Sequence, residues 1–301
     1  FVVQPGERNA VDQRLLEASL WARARVRAVR RTLTEVRATG RLVERSGLRV
    51  LLLSAVPPRA AERVPGTQPT VEALPDVEVS VVYFRAGYTP DDYKSSHDWA
   101  ARLMIERAFC IKCPCIDYHL VGAKKVQQAL AMPGATERFL SAAEAKAVRT
   151  SYAGLHALSE LDAPVGGGAG SGATLTLREH IAAAPHAWVM KPQREGGGNN
   201  IYGEAIVHKL KTLRPEERDA YILMQRIFPP VHVGRTLIRA EAAAVFSTVS
   251  ELGIFSTILA DENGRELRNA VAGHLLRTKP ADADEGGVAA GYAVLDSPLL
   301  H

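Results

Sequence analysis

The chain has 301 residues, of which 47% are hydrophobic and 23% charged, with a formal net charge of +4 and a pI near 9.0. This suits a globular protein of one or two domains with a sizeable core. The mild, dispersed positive charge fits small anionic substrates as well as nucleic acid. No apolar run approaches membrane-spanning length and no secretory signal pattern is present. The first residue is Phe1, and Phe1-Val2-Val3 reads as a strand entered mid-fold, so a segment upstream is expected.

A Pro-Gly turn and a polar cluster, Glu7, Arg8 and Asn9, precede a helix expected from about Asp12 to Arg37. Leu15, Leu16, Leu20, Val26, Val29 and Leu33 follow helical spacing. Arg23, Arg25, Arg27, Arg30 and Arg31 are read as a solvated face. No aromatic platform or groove-reading motif accompanies them, so nucleic acid is not expected as a partner. Strands are expected over 49–56 and 77–84, with a Pro/Ala/Arg-rich loop over 57–69. The strand–helix–strand order with apolar runs fits a parallel, doubly wound sheet, in which ligands bind beyond the carboxyl ends of the strands. Arg85-Ala86-Gly87-Tyr88 follows the last of these strands. Arg85 offers a fork for a carboxylate, Gly87 a tight turn and Tyr88 a hydroxyl. The alternative is a surface arginine and a packing tyrosine.

A helix is expected from Asp91 to Phe109. The three cysteines, Cys110, Cys113 and Cys115, lie close together with His119 just after. The spacing could ligate zinc, but Pro114 interrupts it and no second cluster follows, so reduced cytosolic thiols are the expectation. Gly122 could turn a loop into a helix whose first turn bears Lys124, a phosphate candidate. Gly166–Gly172 follows Pro164 with no leading strand or adjoining lysine and reads as a flexible linker.

The most informative stretch is Lys191-Pro192-Gln193-Arg194-Glu195-Gly196-Gly197-Gly198-Asn199-Asn200, entered from the apolar run 187–190. A buried strand there would deliver a lysine, then a glutamate, then three glycines. Such glycines leave N–H groups uncovered and permit positive φ, so the loop can cradle a polyphosphate. Glu195 supplies the oxygen ligand that Mg²⁺ prefers. The alternative is a solvent-exposed glycine turn. A P-loop is excluded because no Gly-Lys-Ser/Thr opens a helix, and a dinucleotide fingerprint because the glycines are contiguous.

Beyond it come a short helical piece over 215–220, a strand over 221–227, and an apolar strand region over 242–259 interrupted at Ser250-Glu251-Leu252-Gly253. A glutamate in an apolar strand demands a partner, which makes Glu251 a candidate for ribose, amine or metal. Arg277 and Lys279 are two apart and share a face if extended. The small residues of 286–291 could present backbone N–H groups to a carboxylate. Cations with metal-binding acids, and no Ser-His-Asp or Cys-His arrangement, suit phosphoryl transfer.

The order strand–Lys–Glu–Gly-rich loop resembles the nucleotide lid of ATP-grasp ligases, and Lys191–Asn200 resembles that loop in eukaryotic glutathione synthetase. Nearly the whole chain, from about 2 to 298, can be laid along that family, and Lys112-Cys113-Pro114 matches it too. The resemblance implies an α/β ATP-grasp fold, with a doubly wound parallel-sheet substrate domain over 1–115 and an ATP-grasp region over 116–301 whose lid covers about 165–247. It implies ATP- and Mg²⁺-dependent ligation of γ-glutamylcysteine to glycine through an acyl phosphate, in a cytoplasmic homodimer without membrane association.

By the same resemblance, Glu7, Arg8, Asn9, Gln13, Arg85 and Tyr88 contact the dipeptide. Lys124, Lys191, Asn200, Tyr202, Met224, Ile227, Glu251 and Lys279 bind nucleotide, and Glu195 binds magnesium. Arg277, Val288 and Ala289 hold the glycine end, with Arg277 and Lys191 as the catalytic cations. Gln225 and Arg226, which the resemblance places in the nucleotide set beside the adenine, replace an acid and a lysine frequent in the family, and Glu285, in the same set, stands where an aspartate is usual. The family carries further magnesium and substrate residues upstream, so these 301 residues alone are expected to bind ATP weakly and to make no glutathione. The competing expectations are another ATP-grasp carboxylate–amine ligase and a non-catalytic nucleotide-binding fragment.

Overall fold

Ser46 and Gly47 both carry positive φ, 51° and 78°. Two such residues in succession make the tight turn whose twist suits a two-residue hairpin, and so short a link can join only antiparallel strands. That turn decides the first sheet. The computed structural model describes residues 1–54, 75–164, 175–193, 198–239, 242–284, 286–288 and 291–298. The loop expected over 57–69 and the Gly/Ser stretch 166–172 lie outside the described residues. So do Arg194, Glu195, Gly196, Gly197, Glu285 and Ala289. The chain divides into two units, 1–129 and 130–301.

The first unit contains α1 (Val11–Ala24), α2 (Leu33–Thr39), β1 (Gly40–Arg45), β2 (Leu48–Leu53), β3 (Val77–Glu78), β4 (Val81–Tyr83), α3 (Ser96–Arg107), β5 (Ile111–Cys113), α4 (Ile116–Val121) and most of α5 (Lys124–Ala131). β1, β2 and β3 form an antiparallel sheet in that order. β4 pairs with β5 in parallel, and Val2 bridges in parallel to both Arg31 and Phe84. The unit is therefore mixed, where the sequence suggested one doubly wound parallel sheet. The run 77–84 is split between two sheets. Its core gathers Val2, Leu33, Val36, Leu51, Phe84 and Ile105 among others.

The single long helix expected over 12–37 is two helices. Arg25 adopts the left-handed conformation (φ 54°) and its N–H caps the Trp21 carbonyl at 3.0 Å, which closes α1. Thr32 then reopens the helical path with a capping box. It accepts from Glu35 N at 3.2 Å, and its own N–H donates to the Glu35 carboxylate at 2.8 Å. The arginines do not form one solvated face, because Arg31 is buried, only 6% exposed. Its N–H groups donate to the carbonyls of Arg30 and Ser54, and the bridge to Val2 draws it inward. On α1 the side packed inward is polar, through Gln13, whereas Leu15, Leu16 and Leu20 are exposed.

The helix expected over 91–109 begins at Ser96, because Ser95 and Asp98 build its N-terminal cap, with Ser95 N donating to Asp98 at 3.0 Å. Asp98 is buried and also accepts from the Thr34 hydroxyl at 2.8 Å, which pins α3 to α2. Burial pushes its carboxyl up, but the hydrogen bonds from Thr34 and Ser95 outweigh this and hold it below the usual value.

The second unit contains α6 (Ala142–Arg149), β6 (Leu155–Ala157), α7 (Leu177–Ala183), β7 (Trp188–Pro192), β8 (Ile201–Tyr202), α8 (Glu204–Thr212), β9 (Tyr221–Gln225), β10 (His232–Arg239), β11 (Ala242–Ala260), β12 (Glu266–Pro280) and β13 (Val294–Asp296). Two antiparallel sheets result, ordered β6-β9-β7-β8 and β10-β11-β12-β13. Capping boxes at Ser141/Glu144 and Thr176/Glu179 start α6 and α7. The core beneath the first sheet includes Leu158, Leu177, Ile181, Met190, Ile206 and Leu223. β11 runs unbroken through Ser250–Gly253, where the sequence suggested an interruption. Each of these four residues pairs directly with β12, so Glu251 needs no bend to face a partner.

Candidate functional site

β7 and β8 are a hairpin in register Val189↔Tyr202 and Met190↔Ile201. Lys191 is the first β7 residue beyond the β8 pairing, still opposite Ile222 of β9, Asn200 directly precedes β8, and the glycine-rich stretch is the hairpin's connection. Val189 and Met190 are buried, and this seats Lys191, itself half-buried, at the rim. Gly198 has φ 84°, the conformation for which a glycine is placed there. The Asn200 amide donates to the Tyr202 hydroxyl at 3.1 Å. Asn199 lies just before it in the same connection.

β9 runs beside β7 and brings Met224 opposite Val189 and Leu155. Gln225 N bonds to Gly154 O and Arg226 N to Ala187 O, both at 2.8 Å. The strand ends there, and Ile227 is exposed. The Arg226 guanidinium lies 5.5 Å from the ring centres of both Tyr202 and Phe228, and donates to Asp284 at 2.6 Å. The Lys279 ammonium donates to the Asp284 carbonyl at 3.0 Å.

Glu251 and Arg277 are direct partners across β11 and β12 and form an ion pair at 2.7 Å. A side chain on Gly286 would meet the Glu251 carboxylate at 3.4 Å, so the segment carrying Val288 starts against this pair. Lys279 pairs with Val249, two residues along, and shares the face of Arg277. Tyr202, Arg226, Lys279 and Asp284 thus gather in the second unit, with Glu251, Arg277 and Gly286 as a neighbouring group.

The first unit builds a separate cluster. Arg85 follows β4, its N–H bonds to Val2 O at 2.8 Å, and its guanidinium pairs with Asp12. Burial alone would lower the Arg85 pKa; the bonds to Asp12 and Tyr83 outweigh it and raise it. Gly87 has φ 83° and lies against the hydroxyl end of Tyr93, which a Cβ would meet at 2.9 Å. Ala86 beside it is buried. Tyr88 is 44% exposed. Its hydroxyl is pushed up by burial, against the pull of Arg85. Asp92 accepts from Tyr88 N at 2.7 Å, and the His119 ring lies 2.9 Å from Tyr88 O.

Glu7 accepts from Asn9 N at 2.8 Å, next to Arg8. Gln13 is fully buried; its amide donates to Asn9 O at 2.8 Å and accepts from Arg30 at 2.7 Å. Lys124 opens α5 as expected. The three cysteines are free thiols, and burial pushes Cys110 and Cys113 up. Asp12 and Asp284 were missed in the sequence, and His119 was weighed there only beside the cysteines, not as a neighbour of Tyr88. Each of the two acids is one among many, without a motif; only its neighbour in space marks it.

Lys191 on β7, Arg226 just past β9 and Arg277 and Lys279 on β12 are the cations that the second unit, a mixed α/β domain, carries at its strands. Residues 10–300 match the family described as eukaryotic glutathione synthase, ATP binding domain. Among curated proteins, the chain is 43% identical over 304 residues to a chloroplastic glutathione synthetase of Solanum lycopersicum, covering 100% of this chain and 48% of that protein. It is 40% identical to the glutathione synthetases of Dictyostelium discoideum and Homo sapiens. These alignments cover 100% and 99% of this chain, and 57% and 56% of those proteins. A solved structure, a glutathione synthetase-like effector from Globodera pallida in apo form, aligns with a TM-score of 0.64. It is 22% identical and covers 100% of this chain and 55% of its own; it shares the fold. The chain belongs to the eukaryotic glutathione synthase family. It spans about half the length of the curated relatives it matches. No described helix is long and apolar enough to cross a membrane.

Proposed function

We propose that the chain is the nucleotide-binding part of an enzyme that ligates γ-glutamylcysteine to glycine, forming glutathione at the expense of ATP. The observation that carries the reading is the family match across residues 10–300. The grouping of Lys191, Asn200, Tyr202 and Met224 on one sheet, and of Glu251, Arg277 and Lys279 on the other, supports it. The fold in this reading is ATP-grasp, with a lid over about 165–247 that includes the β7–β8 connection. The substrate domain covers 1–115, the ATP-grasp region covers 116–301, and the assembly is a cytoplasmic homodimer.

Lys191, Lys279 and Lys124 neutralise the ATP phosphates, and the glycine-rich connection offers them main-chain N–H groups. The γ-phosphoryl group passes to the cysteinyl carboxylate, giving an acyl phosphate and ADP. The glycine amine attacks the acyl carbon, loses a proton, and inorganic phosphate leaves. Arg277 stabilises negative charge on the acyl phosphate oxygens and, with Val288 and Ala289, holds the glycine carboxylate. Arg85, Tyr88, Glu7, Arg8, Asn9 and Gln13 hold the dipeptide, with Asp12 orienting Arg85.

Among the described residues no group of three or more His, Cys, Asp or Glu side chains gathers as a metal cage. In this reading the Glu195 carboxylate is the ligand that these residues would offer Mg²⁺, beside substrate phosphates and water. Bound there, the ion would offset charge on the transferring phosphate.

The full-length protein is tested by following phosphate release with ATP, Mg²⁺, γ-glutamylcysteine and glycine. Release that requires all of them supports the reading. Equal release with another amine points to a different ligase. ATP binding without any turnover points to a non-catalytic nucleotide-binding protein.

A further inference from the structure

Arg226 and Lys279 come from different sheets, one just past the end of β9 and the other near the end of β12. No strand pairing joins those sheets among the described residues. Two cations brought together repel unless an acid or an anion lies between them. Asp284 supplies both contacts needed. Its carboxylate takes the Arg226 guanidinium at 2.6 Å, and its main-chain carbonyl takes the Lys279 ammonium at 3.0 Å. Arg226 is further restricted by the Tyr202 and Phe228 rings, each 5.5 Å away. Tyr202 sits on β8, the arm of the hairpin that receives the glycine-rich connection. A metal-ligand role for Asp284 finds no support, since no cluster of three such donors occurs among the described residues and its carboxylate is held by Arg226.

We propose that Asp284 is a positioning residue of the nucleotide site, an assignment that rests on the reading above. Its carboxylate holds Arg226 and its carbonyl holds Lys279, so cations supplied by two sheets are kept in one place before ATP arrives. An arginine suits this better than a lysine, because its planar fork can face the aromatic rings and the carboxylate together. The pair is partly exposed, so its effect on binding is modest.

The test uses the full-length protein, with ATP and Mg²⁺ binding measured by calorimetry and steady-state kinetics taken for each substrate. Asp284→Ala should weaken ATP binding about two- to fivefold. The Michaelis constant for ATP should rise by the same factor, with no matching change in the glycine or dipeptide dependence. Asp284→Glu should recover most of the loss. Arg226→Ala combined with Asp284→Ala should weaken binding no more than the worse single change. A uniform fall in kcat, additive losses, or failure of Asp284→Glu to recover would overturn the assignment. If the unmutated protein binds ATP but makes no glutathione, the ligase reading falls and the calorimetric arm still decides the role of Asp284. Absence of ATP binding by the unmutated protein overturns both.

Discussion

Glu251 and Arg277 face one another across β11 and β12, and the guanidinium donates to the carboxylate at 2.7 Å. One was expected on the nucleotide and the other on glycine, yet here each is the other's partner. Both are 43% exposed, so the pair contributes under ~1 kcal/mol to stability. Arg277→Ala should therefore leave the melting temperature nearly unchanged. Turnover should fall by about a hundred- to a thousandfold if Arg277 stabilises charge on the acyl phosphate. Melting curves and glycine titrations of the full-length variant check both parts. A change confined to the apparent ATP affinity would remove Arg277 from the glycine end.

Asp98 links the start of α3 to Thr34 on α2. Its carboxyl is held below its ordinary value, because hydrogen bonds from Thr34 and Ser95 overcome the effect of burial. A depressed carboxyl stabilises the fold fully above the unfolded pKa of about 3.9, and that stability is lost as pH falls through the lower folded value. Asp98→Ala should cost about 2–3 kcal/mol near neutral pH. Asp98→Asn should flatten the loss of stability below about pH 4. Urea unfolding between pH 3 and 7 measures both, and identical acid limbs for the natural protein and Asp98→Asn would contradict the role.

Gly87 has φ 83°, and a Cβ there would approach the Tyr93 hydroxyl to 2.9 Å. Gly87→Ala should destabilise by about 1–2 kcal/mol through backbone strain alone. It should also displace the adjacent Arg85 and Tyr88. The expected signature in the full-length enzyme is a raised Michaelis constant for the dipeptide, with the ATP dependence retained. Comparable shifts for every substrate would instead indicate general loss of the fold.

Glu195→Gln preserves size and removes the charge proposed to hold Mg²⁺. Turnover should fall strongly, and the Mg²⁺ concentration needed for half-maximal rate should rise. Magnesium titrations at saturating ATP provide the check; an unaltered titration with an unchanged rate would remove Glu195 from the metal.

Lys191 and the contiguous glycines are legible in the sequence alone, because strand, charge and φ freedom are local properties written in adjacent residues. The helical start at Lys124 was local in the same sense. The apolar spacing of Leu15, Leu16 and Leu20 was also legible as a helix, but not which side would be buried. That was settled by Gln13, through its bonds to Asn9 and Arg30. The break after Ala24 followed from one left-handed residue, Arg25, a conformation that composition does not announce. The β1–β2 hairpin hung on Ser46-Gly47, a weak signal between a charged strand and an apolar one.

By itself the sequence determined the family, the strand-borne lysine, the glycine-rich connection, and the presence of Arg277 and Lys279 on one strand face. Only the tertiary structure decided that Glu251 would oppose Arg277, that Asp12 would take Arg85, and that Asp284 would join Arg226 to Lys279. The physical reason is separation along the chain. Asp12 lies 73 residues from Arg85, and Arg226 lies 58 from Asp284. Such charges become partners only when strand register and chain reversal bring them within hydrogen-bond reach, and no local spacing rule encodes that register.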